Sequence, residues 1–392
     1  MTRYFGMDVH KDFVMGAAVD EQQEVVQKPF RVELSNLKAW AAKNLTAEDE
    51  VALEVTGNAW YAYDLLAAHA GQVVVSNPAK TRLIAQARIK SDKHDALILA
   101  RLLASRFICD VWVPVSKVRE HRALAAHRAT LRKQSTQTKN RVHALLCRHN
   151  LRCPTGAVFS PEGRTWLKNL TLSMVEQLEL NQLLDQLDLL QRQISEADRM
   201  IARLAQYDPR MTRLLQITGV GVYTAFAVLA SIGDIHRFPT PKNLTSYAGL
   251  VPSLHQSGQQ CYTGSITKAG RSILRWLMVE AAHIAIRHDP HWRQVYQHIA
   301  ARRGHSIALV AIARKLLVVI WHLLAREAPY YYLNPKTFER KLKAWAYLIG
   351  STDRLTATAR DFADYQLQSI DLRDLAEVTT FSQKQGQVAQ PA

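Results

Sequence analysis

Four acidic residues occupy positions where their carboxylates could share a metal ion. Asp8 lies inside an apolar stretch near the N-terminus, and Glu54 ends a second apolar stretch. Asp92 and Asp95 are three positions apart in a segment of helical composition, so they would share one helix face. An acid within an apolar strand is costly unless it is paired or binds an ion. Each acid alone also fits a plain role at a turn or a helix start, but the four together indicate a metal site.

Oxygen ligands of this kind suit Mg²⁺, which binds between carboxylates and substrate phosphates. Two such ions about 4 Å apart can stabilise both oxygens of a phosphoryl displacement. The four acids therefore predict phosphodiester chemistry with Mg²⁺ as the cofactor, or Mn²⁺ in its place.

A second candidate group lies in the segment 247–270, which is rich in glycine and polar residues and is bounded by predicted helices. Ser257 in this segment is expected to be exposed on a loop. Most Ser-Gly pairs are only turns, and no paired histidine base is evident. If the serine is a nucleophile, a metal ion and the cations Lys268, Arg271 and Arg275 could activate it.

Residues 215–225 predict a helix, a glycine turn and a second helix. Gly219 and Gly221 would let the backbone approach a phosphate, and the second helix would offer free N–H groups to it. This helix-hairpin-helix pattern is typical of sequence-independent DNA contact, with a plain helical turn as the alternative.

The positive charge of the chain is clustered. The 392 residues carry a formal charge of +16, and the segment 79–152 holds 17 Lys or Arg against 4 Asp or Glu. This clustering indicates a polyanion partner, because each neutralised phosphate releases counterions; a solvated helical surface is the plain alternative. The candidate nucleic-acid contacts are Lys90, Arg119, Arg122, Arg128, Arg132, Lys133, Lys139, Arg141, Gly219, Gly221, Lys268 and Arg271.

The elements that must position the acids form an alternating α/β unit. Strands are predicted over 3–9, 12–19, 24–32, 50–55 and 72–76, and helices over 36–43, 60–70 and 85–106. The order β-β-β-α-β-α-β-α is that of an RNase H-like (RuvC-like) nuclease fold. In that fold the first and fourth strands are neighbours and the last helix packs across their ends, so the four carboxylates would meet.

The rest of the chain is predicted to be mainly helical. A basic helix covers 117–150, and a second helical stretch continues to about 207. Apolar residues at alternating spacings of three and four form a heptad seam: Leu180, Leu183, Leu187, Leu190, Ile194, Ala197, Ile201 and Leu204. The seam fits a coiled coil or an antiparallel helical hairpin, and an ordinary bundle helix fits it equally well.

Composition excludes several classes of protein. A hydrophobic content of 48% is that of a globular chain. Four cysteines without a C-x-x-C pair argue against a zinc finger or a disulfide scaffold and favour a reducing compartment. We expect no leader ahead of the first strand, and the apolar stretch 307–324 is interrupted by Arg314 and Lys315. We expect a cytoplasmic protein, nucleoid-associated when bound to DNA, with no membrane partner.

These motifs together resemble the DEDD transposases of bacterial insertion sequences, which are described as bridge-RNA-guided serine recombinases. The most specific pieces are GMDVHK at 6–11, SDKHDA at 91–96, GLVP at 249–252, SG at 257–258 and ITKAG at 266–270. Their order and spacing argue against an accidental match. The similarity extends over nearly the whole chain, to about residue 282.

The resemblance implies a RuvC-like domain whose four acids map onto Asp8, Glu54, Asp92 and Asp95, and a transposase domain whose nucleophilic serine maps onto Ser257. It implies that carboxylates of one protomer hold magnesium near the serine of another, hence a homo-oligomer, a dimer or a tetramer, to which the heptad seam could contribute. It also implies that the serine attacks DNA to form a phosphoserine link, and that a structured bridge RNA pairs with donor and target DNA.

The expected organisation is a RuvC-like catalytic domain at 1–110, a basic helical and coiled-coil region at 111–209, a mainly α transposase domain with the serine loop at 210–345, and an extension at 346–392 with a disordered end. Base pairing by the RNA would leave the protein to grip phosphates, and the basic segment 117–152 is then the candidate RNA-binding surface.

Two other functions stay open at this stage. One is a RuvC-like junction nuclease in which metal-activated water attacks the DNA. The other is a non-catalytic nucleic-acid-binding scaffold. Ser253 and Ser265 are the alternatives to Ser257 as nucleophile.

Overall fold

The computed structural model describes residues 2–78, 80–81, 91–257, 260–327, 330–350, 362 and 366. The chain divides into two compact units, residues 1–114 and 115–392, so the predicted regions 111–209 and 210–345 fall almost entirely in the second unit. Lys90 and the predicted disordered end of the chain lie outside the described residues.

The first unit is a five-stranded sheet with helices packed on it. The strands are β1 (Tyr4–Val9), β2 (Phe13–Val19), β3 (Val25–Glu33), β4 (Glu50–Glu54) and β5 (Gln72–Ser76), and the helices are α1 (Leu37–Asn44), α2 (Ala59–Leu66) and α3 (Asp92–Ala104). The sheet order is β3-β2-β1-β4-β5. Strands β1 to β3 pair antiparallel, whereas β4 is parallel to both β1 and β5. The predicted element order and the β1–β4 neighbour relation are confirmed, although α2 ends earlier than predicted.

The two faces of the sheet carry different cores because strand side chains alternate. Phe5 and Met7 of β1 join the core formed with α1 and α2. Tyr4 of β1 and Ala52 of β4 join a second core, which contains Leu99 of α3. The same alternation puts Asp8 and Glu54 on the α3 face of the sheet.

Helix α3 lies directly against β1 because of a glycine. A Cβ atom added to Gly6 would lie 2.0 Å from the carbonyl oxygen of Ala96 and 2.4 Å from the amide nitrogen of Ala100. No side chain fits at this position, so the backbones touch. This contact brings the first turn of α3 to the end of β1 where Asp8 lies.

The second unit is mainly helical. Its described helices are α4 (Ser116–Arg148), α5 (Pro161–Lys168), α6 (Met174–Ala205), α7 (Arg210–Leu215), α8 (Val222–Ile232), α9 (Pro241–Tyr247), α10 (Ser272–His288), α11 (Pro290–Arg303), α12 (His305–Ala325) and α13 (Pro335–Gly350), with strands β6 (Pro252–Ser257) and β7 (Gln260–Ile266) between α9 and α10. Helix α12 is long and apolar enough to cross a membrane by length and composition alone, and 56% of its apolar window is buried within the protein. Its apolar residues belong to the main core of this unit.

The heptad seam packs within the chain. Seven of its eight residues are buried, and Leu204 is partly exposed. Arg128 of α4 pairs with Asp198 of α6, whereas Arg148 at the end of α4 pairs with Glu179 near the start of α6, so the two helices run antiparallel. The predicted hairpin alternative is therefore the one observed. The expectation that the seam joins two subunits is corrected, because α4 already covers it.

The glycine turn predicted between two helices is present between α7 and α8. Gly219 has a φ of +93°, and a Cβ atom there would lie 2.3 Å from the carbonyl oxygen of Ala281 in α10. The glycine is thus required by internal packing. A Cβ on Gly221 would meet nothing within 4 Å, so only this second glycine leaves its backbone open to a ligand.

Candidate active site

Three side chains converge at the end of β1. The Nε2 atom of His10 lies 3.1 Å from an Oδ2 atom of Asp8 and 3.4 Å from an Oδ2 atom of Asp92. One ligand atom from each of these residues lies within 4.8 Å of the other two. Two of the four predicted acids therefore meet, together with a histidine that the sequence interpretation did not assign.

Local structure fixes each of these side chains. Asp8 lies in β1 and is half-buried, and His10 follows it in the β1–β2 turn with its ring stacked on Phe13 at 4.5 Å. The Asn58 side-chain amide donates to the carbonyl of His10, which ties this turn to the loop after β4. Asp92 begins α3, whose N-cap is Ser91. A carboxylate in the first turn of a helix is favoured by the helix dipole.

The electrostatics of the group centre on Asp8. Burial raises the pKa of Asp8 above its usual value; the neighbouring His10 opposes the shift, and the carboxylates of Asp92 and Asp95 raise the pKa further. Asp95, one turn into α3, is thus close enough to act on Asp8 electrostatically. A cation at this point would lower the free energy of the ionised Asp8 side chain.

Glu54 occupies the neighbouring strand end. In the parallel pairing of β1 with β4, Met7 lies opposite Leu53, so the next residues, Asp8 and Glu54, follow at the same level. Glu54 is half-buried and is not part of the close group of Asp8, His10 and Asp92. The sheet therefore carries both acids to one edge and one face, with Glu54 outside the tightest cluster.

The spacing of the close group fits a divalent cation. Ligands roughly 2.1 Å from an octahedral ion have neighbours about 3.0 Å apart, similar to the His10 contacts. The His10 Nε2 atom is buried and faces carboxylate oxygens of Asp8 and Asp92 at 3.1 and 3.4 Å. Thr56 Oγ1, two residues beyond Glu54, is buried without a hydrogen-bond partner in the described part of the chain. A nitrogen placed between two carboxylates could share a cation with them.

His10 is the site residue that the sequence interpretation missed. It is two positions after Asp8, which is the spacing that keeps side chains on one face of an extended chain. This spacing is the only feature of the sequence that could have indicated His10 as a site residue. It is weak evidence, because a histidine in a hairpin turn can have many other roles.

Ser257 belongs to the second unit, where the predicted loop is instead a two-stranded ribbon. Ser257 is the last residue of β6, pairs with Gln260 of β7 and is exposed. Ser253, at the other end of β6, is half-buried, and its hydroxyl covers Gly264. Ser265 is exposed on β7. The exposure of Ser257 is confirmed, and its placement on a loop is corrected to a strand end.

The cations predicted to activate Ser257 lie at the opposite end of this ribbon in the same chain. Pro252 pairs with Ile266, and the strand rise places this end about 17 Å from Ser257. Lys268 and Arg271 follow β7 beyond this end. Arg275 Nη1 donates to the carbonyls of Ala248 and Lys268, so it holds the loop. These side chains do not surround the serine of their own subunit.

The predicted nucleic-acid contacts on α4 divide into two groups. Arg122 donates to the carbonyls of Ala230 and Ser231, and Arg128 makes paired hydrogen bonds to Asp198, so both stabilise the fold. The other predicted contacts on α4 lie at its surface: Arg132, Lys133 and Arg141 are exposed, whereas Arg119 and Lys139 are half-buried. The basic face that nucleic acid could reach is therefore smaller than the charge count suggests.

Two family models match the chain. A model of DEDD transposases of the IS110 type, described as "Transposase", matches residues 5–150. A model described as "Transposase IS116/IS110/IS902 family" matches residues 211–297. The first match contains all four predicted acids, and the second contains Ser257.

Similar proteins carry related names. A "Probable family 20 transposase" of Pseudomonas aeruginosa is 31% identical over 262 residues, which cover 62% of this chain and 75% of the relative. The "Transposase for insertion sequence element IS1111A" of Coxiella burnetii is 27% identical over 84% of this chain and 91% of its own length. A "Pilin gene-inverting protein" of Moraxella bovis is 26% identical over 71% of this chain and 80% of its own.

Proposed function

This chain belongs to the IS110 family of DEDD transposases, and we propose that it cuts and rejoins DNA through a phosphoserine intermediate formed by Ser257. The observation that carries the proposal is the convergence of Asp8, His10 and Asp92 at the end of β1, beside Asp95 and Glu54. Transposition and DNA inversion both require strands to be broken and rejoined without loss, and the names of the relatives include both activities.

In the proposed reaction the Ser257 hydroxyl attacks the phosphorus of a DNA phosphodiester. A bond from Oγ to phosphorus forms, the bond from phosphorus to one deoxyribose oxygen breaks, and the departing oxygen takes up the proton that the serine lost. A hydroxyl of the incoming strand then reverses these steps, so the number of phosphodiester bonds is unchanged.

The acids are proposed to hold the cofactor, Mg²⁺ or Mn²⁺. Asp8, Glu54, Asp92 and Asp95 are the proposed ligands, and His10 supplies a nitrogen within reach of the same position. A bound Mg²⁺ would supply Lewis-acid stabilisation of the charge on the phosphate oxygens.

The proposal includes a guide RNA and more than one subunit. The exposed basic part of α4, with Arg132 and Lys133, supports binding of a structured bridge RNA. Asp8 belongs to the first unit and Ser257 to the second, which is compatible with a site shared between protomers. DNA is the substrate that family membership implies.

Adduct formation tests the chemistry. The purified protein, with the RNA that copurifies with it, is incubated with DNA carrying the ends of its element and Mg²⁺, then stopped with detergent and run on a denaturing gel. We expect a protein–DNA adduct that disappears in Ser257→Ala and when the metal is chelated. Ser253→Ala is the matched control, since it removes a hydroxyl from the same strand, and it should retain the adduct.

The contrary outcomes are distinct. Cleaved DNA without an adduct would identify a junction nuclease that uses water, and the serine assignment would be wrong. Binding without any metal-dependent cleavage would identify a scaffold. An adduct that survives in Ser257→Ala and disappears in Ser253→Ala would move the nucleophile to the other serine.

A further inference from the structure

A cavity of about 270 Å³ opens in the second unit at the base of the β6–β7 ribbon. Its polar lining residues are Arg122, Ser231, Arg271 and Ser272, the last at the start of α10. Small side chains such as Ala126 and Ala230 leave the space between these groups open. The cavity is thus a positively charged recess with room for a compact anion.

A third arginine lies next to this recess. Burial lowers the pKa of Arg122 to about 10, and the positive charges of Arg271 and Arg237 contribute to this shift. Burial likewise lowers the pKa of Arg237, with Arg271 contributing. The three guanidinium groups therefore repel one another, and a bound anion would relieve that repulsion.

Two of the three arginines have a role in the fold. Arg122 donates to the carbonyls of Ala230 and Ser231 in the last turn of α8. Arg237 donates to the carbonyl of Ile232 at the end of the same helix, and its guanidinium lies over the ring of Tyr247 at 4.5 Å. Cations at a helix C-terminus are favoured by the dipole, so their presence alone does not require a ligand.

Arg271 has no comparable partner for its Nε atom. That atom is buried and has no hydrogen-bond partner among the described residues. The backbone amide of Arg271 donates to the carbonyl of Tyr247, which fixes the residue at the mouth of the recess. Gly270 allows this approach, because a Cβ there would lie 2.2 Å from the same carbonyl oxygen. The orphan Nε is the feature that packing does not explain.

The N-terminus of α10 faces the same space. Arg271 is the N-cap of this helix, and no side chain caps it with a hydrogen bond. The first N–H groups of a helix lack partners within the helix and favour an anion. An oxyanion in the recess could therefore accept hydrogen bonds from the Arg271 guanidinium and from the first turn of α10 together.

We propose that this recess binds a backbone phosphate of the DNA that Ser257 attacks, at a position away from the scissile phosphate. The ribbon places Ser257 about 17 Å from its own base, which corresponds to roughly five nucleotides along one strand of B-form DNA. Arg271 and the recess would then fix the position of the DNA relative to the ribbon. This inference rests on the proposed function, since it takes DNA as the substrate of the serine.

Binding of a fluorescein-labelled DNA duplex, followed by anisotropy over a range of salt concentrations, tests the recess. Arg271→Gln should weaken binding by roughly tenfold and reduce the slope of log K against log[salt] by about one. Arg302→Gln is the matched control, because it removes the same charge from an exposed position at the end of α11. It should leave both quantities unchanged.

A second variant tests the recess independently, in case Arg271→Gln weakens binding only because it misfolds. Ala126 is exposed on α4 and lines the recess, so Ala126→Glu places a carboxylate beside the arginines in a helix that tolerates glutamate. It should weaken DNA binding to a similar extent with an unchanged melting temperature. Unchanged affinity and salt slope in both variants would overturn the proposal.

Two further measurements distinguish DNA binding by the recess from RNA binding and from a failure of the proposed serine chemistry. If the variants lose affinity for an RNA of equal length and keep it for DNA, the recess serves RNA and the DNA assignment is wrong. The proposed serine chemistry fails separately, through the absence of an adduct in the wild-type protein, whereas Ser257→Ala should keep the DNA affinity and salt slope of the wild type.

Discussion

Asp8 lies where the folded chain makes its ionised form less favourable than it is in water. Burial and the carboxylates of Asp92 and Asp95 act in the same direction on its pKa, and only the imidazole of His10 opposes them. The folded chain thus stores an electrostatic cost at this position, and binding of a divalent ion would remove it.

The nitrogen of His10 gives a direct test of the metal position. Mn²⁺ bound to the wild-type protein should show hyperfine coupling to a nitrogen nucleus in pulsed electron paramagnetic resonance, and His10→Gln should abolish it. We expect the affinity for Mn²⁺ to fall by about tenfold in this variant. Carboxylate oxygens are better ligands for Mn²⁺ than imidazole nitrogen is, so the acids should still bind the ion without His10.

His94→Gln is the control for this measurement. His94 is two positions after Asp92 and exposed in the first turn of α3, where residues two apart do not share a face. The coupling should persist in it. A wild-type spectrum without nitrogen coupling, or one that survives in His10→Gln, would exclude His10 as a ligand.

The sequence could predict the acids but not the way they group. Each acid stands out because it is polar within apolar surroundings, a signal that needs no structure. His10 carries no such signal, because a histidine near a turn is unremarkable in composition. The closeness of Asp92 and the wider placement of Glu54 depend on how α3 sits on the sheet, which periodicity does not specify.

At the scale of elements, the site depends on how closely α3 approaches β1. Gly6→Ala would place a Cβ atom 2.0 Å from the carbonyl oxygen of Ala96, so the helix must move away. We expect a loss of about 1–3 kcal/mol of unfolding free energy together with weaker Mn²⁺ binding, although no ligand is changed. Denaturant unfolding and Mn²⁺ titration measure the two effects.

Gly57→Ala provides the comparison, since a Cβ at Gly57 meets nothing within 4 Å. Its stability and metal affinity should equal those of the wild type. If Gly6→Ala loses stability and keeps its Mn²⁺ affinity, then the helix position does not govern the site.

The elements that the sequence predicted well are those with one buried face. Strands β1, β2, β4 and β5 show apolar runs because helices cover the sheet there, whereas the edge strand β3 has no buried residue. The ribbon β6–β7 was predicted as a loop because neither of its faces is buried, so its residues lack any apolar alternation. Only backbone hydrogen bonds define these two strands, so the pattern of side chains in the sequence could not predict them.

At the scale of the whole molecule, the pairing of α4 with α6 determines whether the heptad seam is available to another subunit. The periodicity of the seam was correctly recognised, but the partner of a heptad seam is not encoded in the spacing. In the structure the partner is α4 of the same chain, with Leu131 packed against Leu190 and Ile194. The apolar seam is thus occupied within the chain.

A leucine substitution in the seam tests this arrangement. Leu187 is buried and Leu189 is 45% exposed on the same helix. Leu187→Ala should lower the unfolding free energy by about 2–5 kcal/mol, whereas Leu189→Ala should change it by less than about 0.5 kcal/mol. Neither should alter the oligomer mass measured by light scattering. Dissociation of an oligomer in Leu187→Ala would show that the seam joins subunits.

The ribbon that carries Ser257 has no core beneath it, and large side chains such as Leu254 and Tyr262 stand in solvent at 60% and 64% exposure. An isolated two-stranded ribbon has little stability of its own. If Ser257 is the nucleophile proposed above, a partner that packs against Leu254 and Tyr262 would also orient its hydroxyl. On that proposal, a single copy of the chain would not hold the hydroxyl in a fixed direction.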